Sequence, residues 1–145
     1  MIGYSRTDIE GAEFRKNAEK AVKKAHPKAD PAEVKEFISR CYYLSGKYDS
    51  AEDYAKLKKT AEQLEKKYST GGSLIFHIAT PPEAYENILK GIAAAGLGNE
   101  GKTGGFKRIV IEKPFGRNLS ESLKLNSVID GSFSEKQIYL SLIHI

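Results

Sequence analysis

A run of β-branched residues that ends in a lysine and a proline constrains this chain more than any other feature. Ile109, Val110 and Ile111 follow one another without a polar residue, as expected of a parallel strand covered on both faces. Lys113 comes at the carboxyl end of this predicted strand, and Pro114 restricts the backbone before it. In open α/β sheets ligands bind outside the carboxyl ends of the strands, so Lys113 is a candidate ligand for a phosphate or a reacting hydroxyl. The alternative is a surface lysine at a strand end, without such a role.

Local patterns predict helices and strands that alternate along the rest of the chain. Starting signals for helices stand at four positions: Thr7, Asp30, Ser50 and Asn118. Strands are predicted at three places: residues 74–79, 107–112 and 137–139. This alternation predicts an α/β protein with a parallel sheet and right-handed crossovers.

A second strand-to-helix corner lies at Thr80-Pro81-Pro82. Thr80 is the predicted N-cap, and Tyr85 falls in the first turn of the helix. The helix N-terminus there would offer unpaired backbone donors to a ribose or a phosphate. The alternative is a capped helix with an exposed tyrosine and no ligand.

Composition and charge narrow the class of protein. A chain of 145 residues with 40% hydrophobic content suits one domain with a real core. The lone Cys41 excludes an internal disulfide, and its place on an apolar stripe predicts burial. No apolar run has membrane-spanning length and no signal peptide is evident, so a cytoplasmic protein without a membrane partner is expected. The net charge of +4 comes with lysines that alternate with glutamates, which argues against a nucleic-acid partner.

Two other patterns are poor candidates for a site. Residues 96–101 match the glycine-rich dinucleotide motif, but they follow a helix and precede a strand, the reverse of the order that the motif needs. Gly96 is better explained as a glycine that ends a helix. The histidines, His26, His77 and His144, have no partners at metal-ligand spacing, so no metal site is expected.

Several motifs in order resemble the coenzyme domain of the glucose-6-phosphate dehydrogenase family. They are Gly3-Tyr-Ser-Arg6, Arg40-Cys-Tyr-Tyr-Leu-Ser-Gly-Lys-Tyr-Asp49, Ile78-Ala-Thr-Pro-Pro-Glu-Ala-Tyr85, Glu112-Lys-Pro-Phe-Gly-Arg-Asn-Leu119 and Gln137-Ile-Tyr139. In that family the first motif ends the second strand, the next belongs to a helical crossover, and the third forms the fourth strand and its turn. The resemblance covers residues 2–139.

The resemblance implies a coenzyme and the residues that bind it. The family places an arginine at the position of Arg6 to bind the 2′-phosphate of NADP, a group that suits the guanidinium fork. Pro81 and Tyr85 stand where the family's residues line the coenzyme site, while Thr80 replaces a frequent leucine.

The resemblance also implies a reaction. Glucose 6-phosphate is oxidised at C1 as hydride passes to NADP, and Lys113 would contact both the sugar and the coenzyme while Pro114 sets its placement. The base histidine belongs to the family's substrate domain, which lies outside this chain, so no catalytic base is expected here and His144 receives no role. The parent enzyme is expected to be a homo-oligomer.

The sequence departs from the family at both ends. The family's domain begins with a strand and a Gly-Ala-Ser-Gly-Asp-Leu turn that have no counterpart here. The expected fold is therefore an incomplete doubly wound (Rossmann-like) parallel sheet that lacks its first strand and phosphate-binding turn. Residues 1–139 would form a partial NAD(P)-binding domain and residues 140–145 a tail foreign to the family. Such a chain is expected to be inactive alone, and marginally stable or self-associating.

The competing hypothesis is a non-catalytic α/β module that binds a nucleotide or a protein partner through the helices before Ser69. The missing phosphate loop weighs against tight nucleotide binding, and Lys113 and Arg6 at strand ends would have no purpose in a helical scaffold.

Overall fold

The chain folds into alternating helices and strands that group into two units. A computed structural model describes residues 1–101, 105–112 and 118–141. The first unit, Met1–Lys47, contains β1 (Ile2–Ser5), α1 (Gly11–Ala25), α2 (Pro31–Ser39) and β2 (Tyr42–Ser45). The second unit, Tyr48–Ile145, contains α3 (Ala51–Tyr68), β3 (Leu74–Ile78), α4 (Tyr85–Ala94), β4 (Lys107–Glu112), α5 (Leu119–Asp130) and β5 (Ile138–Ser141).

All strand pairs in the described residues are parallel, which confirms the α/β class. In the first unit β1 pairs with β2, from Ile2 opposite Tyr42 to Ser5 opposite Ser45. In the second unit β4 lies between β3 and β5. The described strands form two sheets, and no strand among them pairs with both β1 and β3.

The first unit has a small core of its own. Val34 and Ile38 of α2 and the thiol of Cys41 are buried, and Cys41 is fully shielded from solvent, as its position on an apolar stripe predicted. Residues of α1, among them Phe14 and Val22, pack against this cluster. Burial of these apolar side chains ties the two helices together.

The start of α1 differs from the prediction. Thr7 is not the N-cap, because its N–H donates to Ser5 Oγ and its carbonyl accepts from the Tyr43 hydroxyl. These bonds hold Thr7 beside the strand ends, and the helix begins only at Gly11. By contrast, Asp30 caps α2 as predicted, since its carboxylate accepts from the Ala32 N–H at 2.9 Å.

Strand β2 was missed. Residues 42–45 were assigned to a helical crossover, but they form a strand beside β1. The run Tyr-Tyr-Leu-Ser has the aromatic content typical of strands. At four residues it is too short to give a periodic signal, and its pairing partner lies far away in sequence.

The buried centre of the second unit is one face of β4. Ile109 and Ile111 have no exposed surface, whereas Arg108, Val110 and Glu112 are partly exposed. The strand therefore alternates, and the prediction of burial on both faces is wrong for Val110. Apolar residues of α4 and α5 are also buried, and the two helices contact each other: Ile88, Leu89, Ile92, Leu125 and Ile129.

Helices α3 and α4 meet where a tyrosine faces a glycine. Ser50 caps α3 as predicted, accepting from the Asp53 N–H. Tyr54 is almost fully buried, and a Cβ added to Gly91 would overlap its ring. The absence of a side chain at residue 91 is thus what lets the two helices approach.

The glycine-rich segment ends α4 and is not a dinucleotide motif. Gly96 has φ +68°, in the left-handed region. Its N–H donates to the Ala93 carbonyl at 2.9 Å, and the Leu97 N–H donates to the Ile92 carbonyl at 3.0 Å. This pair of bonds is a Schellman motif, which confirms that Gly96 ends the helix.

Candidate functional site

The strands that precede the two predicted corners, β3 and β4, end on the same side of the sheet in the second unit. β3 and β4 are parallel, and their last paired residues are Ile78 and Ile111. The Thr80-Pro81 corner and Glu112 therefore lie at the ends of neighbouring strands, the position where open α/β sheets bind ligands. The predicted binding residue Lys113 and its neighbour Pro114 lie outside the described residues, so their roles remain predictions.

Tyr85 links the Thr80-Pro81 corner to the end of β4. It is the first residue of α4, only 1% exposed, and its hydroxyl donates to the Glu112 carbonyl at 2.9 Å. Burial, and then the negative charge of Glu112, raise the pKa of Tyr85, so the hydroxyl stays protonated as a donor. The alternative of an exposed tyrosine is therefore wrong.

The corner before Tyr85 is built by two prolines. Pro81 is extended, with φ −58° and ψ 146°, and Pro82–Ala84 form one turn of 3-10 helix that leads into α4. Thr80 is not the N-cap that the sequence predicted. Pro82 has no N–H for its hydroxyl to accept from, and the extended Pro81 delays the helix.

The Thr80 hydroxyl is instead a buried polar group at this corner. Its Oγ1 has no hydrogen-bond partner among the described residues. A buried hydroxyl without a partner is costly, and a polar ligand at this corner is one way to satisfy it.

An unexpected pair lies at the same strand ends. His77 Nε2 of β3 is 3.1 Å from Glu112 Oε1 of β4. The side chain of His77 is about half exposed at 54%, and that of Glu112 is 25% exposed. Sequence reasoning found no acidic partner for His77, because the partner comes from a neighbouring strand and its register cannot be read from local spacing.

Arg6, the predicted phosphate ligand, belongs to the first unit. It directly follows Ser5, the last residue of β1, and is exposed. The structure thus confirms the strand-end position of Arg6, and its proposed contact with the coenzyme remains a prediction.

No group of three or more His, Cys, Asp or Glu side chains in residues 1–101, 105–112 and 118–141 could hold a metal ion. Within the same ranges, no helix combines the length and the apolar character needed to cross a membrane.

Parallel strands whose carboxyl ends meet a helix start are consistent with a Rossmann-like α/β fold. Comparison with known protein families identifies the family to which the chain belongs. The family model described as "Glucose-6-phosphate dehydrogenase, NAD binding domain" matches residues 1–141. The chain belongs to this family.

Individual relatives agree with the family. The chain is 37% identical over 142 residues to the cytoplasmic isoform of glucose-6-phosphate 1-dehydrogenase from Solanum tuberosum, covering 96% of this chain and 27% of the relative. It is 35% identical over 141 residues to the Treponema pallidum glucose-6-phosphate 1-dehydrogenase, with the same coverage of 96% and 27%. A solved glucose-6-phosphate dehydrogenase in complex with its substrate glucose-6-phosphate has a TM-score of 0.80 and 30% identity, covering 97% of this chain and 28% of that one. The chain therefore spans little more than a quarter of the length of these relatives.

Proposed function

We propose that this chain is the coenzyme-binding part of an enzyme that oxidises glucose 6-phosphate at C1 with NADP. The family match supports this proposal. The observation that favours it most is the hydrogen bond from Tyr85 to the Glu112 carbonyl. It joins the predicted coenzyme corner to the strand end that precedes Lys113, where substrate and coenzyme would meet.

Each site residue has a proposed task. Arg6 binds the 2′-phosphate of NADP through its guanidinium fork. Pro81 and Tyr85 line the coenzyme site, Lys113 contacts both glucose 6-phosphate and the coenzyme, and Pro114 positions that lysine. When bound, NADP accepts the hydride. The base histidine lies outside these residues, so the 145-residue chain is inactive alone.

Residues 1–139 are proposed as a partial coenzyme domain. Because the family match runs to residue 141, the proposed tail foreign to the family is confined to residues 142–145. The proposed parent is a cytoplasmic homo-oligomer.

A chimera tests the proposed function. Residues 1–141, which match the family, replace the corresponding segment of the Solanum tuberosum relative. We expect the chimera to form NADPH only when glucose 6-phosphate is present. A chimera that folds and binds NADP without turnover would favour the non-catalytic nucleotide-binding module instead.

Replacing Lys113 with alanine in this chimera tests the substrate end of the site. Lysine is a charged donor that stabilises developing negative charge more than it stabilises the ground state. We expect kcat to fall by roughly a hundredfold to a thousandfold, the range for loss of one such donor, with a smaller change in NADP affinity. Unchanged turnover would show that Lys113 has no role in the reaction.

Replacing Arg6 with alanine tests coenzyme choice. A charge-assisted hydrogen bond to the 2′-phosphate contributes about 1.5–3 kcal/mol, so the KM for NADP should rise roughly tenfold to a hundredfold. NAD lacks that phosphate, and its KM should hardly change. Arg15, a partly exposed arginine on α1, is the control. Equal losses with both coenzymes would contradict the assigned contact.

A further inference from the structure

Glu112 is the position where the backbone pairing between β3 and β4 ends. The register between these strands runs only as far as Ile78 opposite Ile111. On the other side, pairing continues, since Glu112 lies opposite Ser141 of β5. The last residue of β4 is therefore held by the sheet on one side only.

Two side chains supply the link on the side where the pairing has ended. The Tyr85 hydroxyl donates to the Glu112 carbonyl at 2.9 Å, and His77 Nε2 lies 3.1 Å from the Glu112 carboxylate. The backbone of His77 is opposite Val110, so its side chain reaches two residues along β4 toward the strand end. Backbone and side chain of Glu112 are thus both fixed from the β3–α4 side.

The contact between His77 and the Glu112 carboxylate requires a hydrogen-bond donor on residue 77. A histidine nitrogen that bears a proton donates to a carboxylate whether or not the ring is charged. The same task can be done by the amide of a glutamine, but not by a phenylalanine ring of similar size. This difference allows the hydrogen bond to be separated from packing.

We propose that His77 is a positioning residue of the coenzyme and substrate site, an inference that rests on the proposed function. By holding Glu112, it fixes the strand end from which the chain continues to Lys113. The hydrogen bond spans two strands, so it restrains the direction of the backbone where pairing with β3 stops. Without it, the strand end keeps its pairing with β5 and its bond to Tyr85 but loses one restraint, and binding of NADP weakens.

The test compares His77→Phe, which removes the donor, with His77→Gln, which keeps one. The exposed His26, in the first unit, provides the matched control His26→Phe. Amide hydrogen exchange of the ligand-free chimera is measured first, because it needs no coenzyme. We expect exchange at Ile111 and Glu112 to be several-fold faster in His77→Phe, near the wild-type rate in His77→Gln, and unchanged in His26→Phe.

NADP affinity and KM are then measured in the chimera. We expect His77→Phe to weaken NADP binding by roughly threefold to tenfold, the value of one hydrogen bond, and His77→Gln to restore it. Unchanged exchange at the strand end would overturn the inference. So would faster exchange with unchanged NADP affinity, or a loss of affinity that glutamine does not restore.

A failure of the proposed function would give a different experimental result from a failure of the inference about His77. A folded wild-type chimera that binds no NADP would overturn both the proposed function and the role of His77 in coenzyme binding. The exchange rates would still decide whether His77 holds the strand end.

Discussion

Single side chains decide how the end of β4 is held. Tyr85 is buried and donates its hydroxyl to the Glu112 carbonyl, while His77 contacts the carboxylate of the same residue. A buried carbonyl that loses its donor keeps the cost of its desolvation. The Tyr85 hydroxyl should therefore contribute to folding as well as to the site.

Replacing Tyr85 with phenylalanine removes only this hydroxyl. We expect the free energy of unfolding to fall by about 1–2 kcal/mol, measured by urea denaturation near pH 7. Tyr68→Phe, at a ring that is 37% exposed, is the matched control, with an expected change below about 0.5 kcal/mol. An equal, small effect at both positions would show that the Tyr85 bond adds nothing to stability.

The contribution of Tyr85 should also depend on pH in a defined direction. Burial raises the pKa of Tyr85 above its ordinary value of 10.0. Since the folded state holds the proton more tightly, the difference between wild type and Tyr85→Phe is fully present below pH 10 and is lost as the pH rises through the raised pKa.

For single residues, the sequence predicted the place of a residue in a helix or at a strand end, but not its side-chain contacts. It placed Tyr85 in the first turn of a helix and Arg6 after a strand, and both placements are confirmed. It missed the His77–Glu112 pair and the burial of Tyr85. Both depend on which strand lies beside which, and on the register between them.

Elements are joined by charges as well as by apolar packing. Glu86 of α4 contacts Lys90 on its own helix at 2.7 Å and Lys124 of α5 at 2.8 Å. Lys124 and then Lys90, by hydrogen bonding to the carboxylate, lower the pKa of Glu86 from 4.5 to about 2. This carboxylate thus ties two helices of the second unit together.

The pH dependence of unfolding tests this link. Because the pKa of Glu86 is lower in the folded state, its contribution is present above pH 4.5 and is lost as the pH falls toward about 2. Glu86→Gln should lower the free energy of unfolding at pH 7 by less than about 1 kcal/mol, since the charges are partly exposed and screened.

The difference between this variant and wild type should shrink as the pH falls from 4.5 toward 2, where the carboxylate is almost fully protonated in the unfolded state and about half protonated in the folded state. Glu19→Gln, which breaks an ion pair within α1 alone, is the control, with an expected cost of about 0.2–0.5 kcal/mol. A difference between Glu86→Gln and wild type that stays constant from pH 7 to pH 2 would rule out the ionic link.

The success of element prediction followed the strength of local signals. Asp30, Ser50 and Asn118 each cap a helix, because one side-chain oxygen and one backbone N–H close by suffice. Thr7 and Thr80 offered the same signal, but tertiary bonds to Tyr43 and two prolines overrode it. The Lys90 contact of Glu86 has helical spacing, whereas the Lys124 contact requires the packing of two helices.

The chain as a whole presents several strands with an unpaired side. In the described ranges, β1 pairs only with β2, and β3 pairs only with β4. β3 is the apolar member of this group, and its Ile75 is 63% exposed. Unpaired apolar strands are sites at which protein chains associate with one another.

We therefore expect the isolated chain to self-associate. Sedimentation velocity should show a sedimentation coefficient that rises with protein concentration. Ile75→Lys places a charge on the unpaired strand and should lower the association, whereas Glu62→Lys, on the exposed surface of α3, should not. A monomer at every concentration with a sharp, reversible melting transition would contradict this expectation.

At the scale of the whole molecule, periodicity and capping predicted the α/β class and its parallel strands. They did not predict two separate units, because strand order depends on pairing between distant segments.

The contact between Tyr54 and Gly91 has a consequence for the history of the family. Because any side chain at residue 91 would overlap the tyrosine ring, residue 91 cannot gain one while Tyr54 is kept unless the two helices separate. A lineage that acquires alanine or serine at residue 91 needs a smaller residue at 54, in the same step or beforehand. In a deep set of related sequences, the two columns should therefore vary together, with bulk gained on one helix matched by bulk lost on the other.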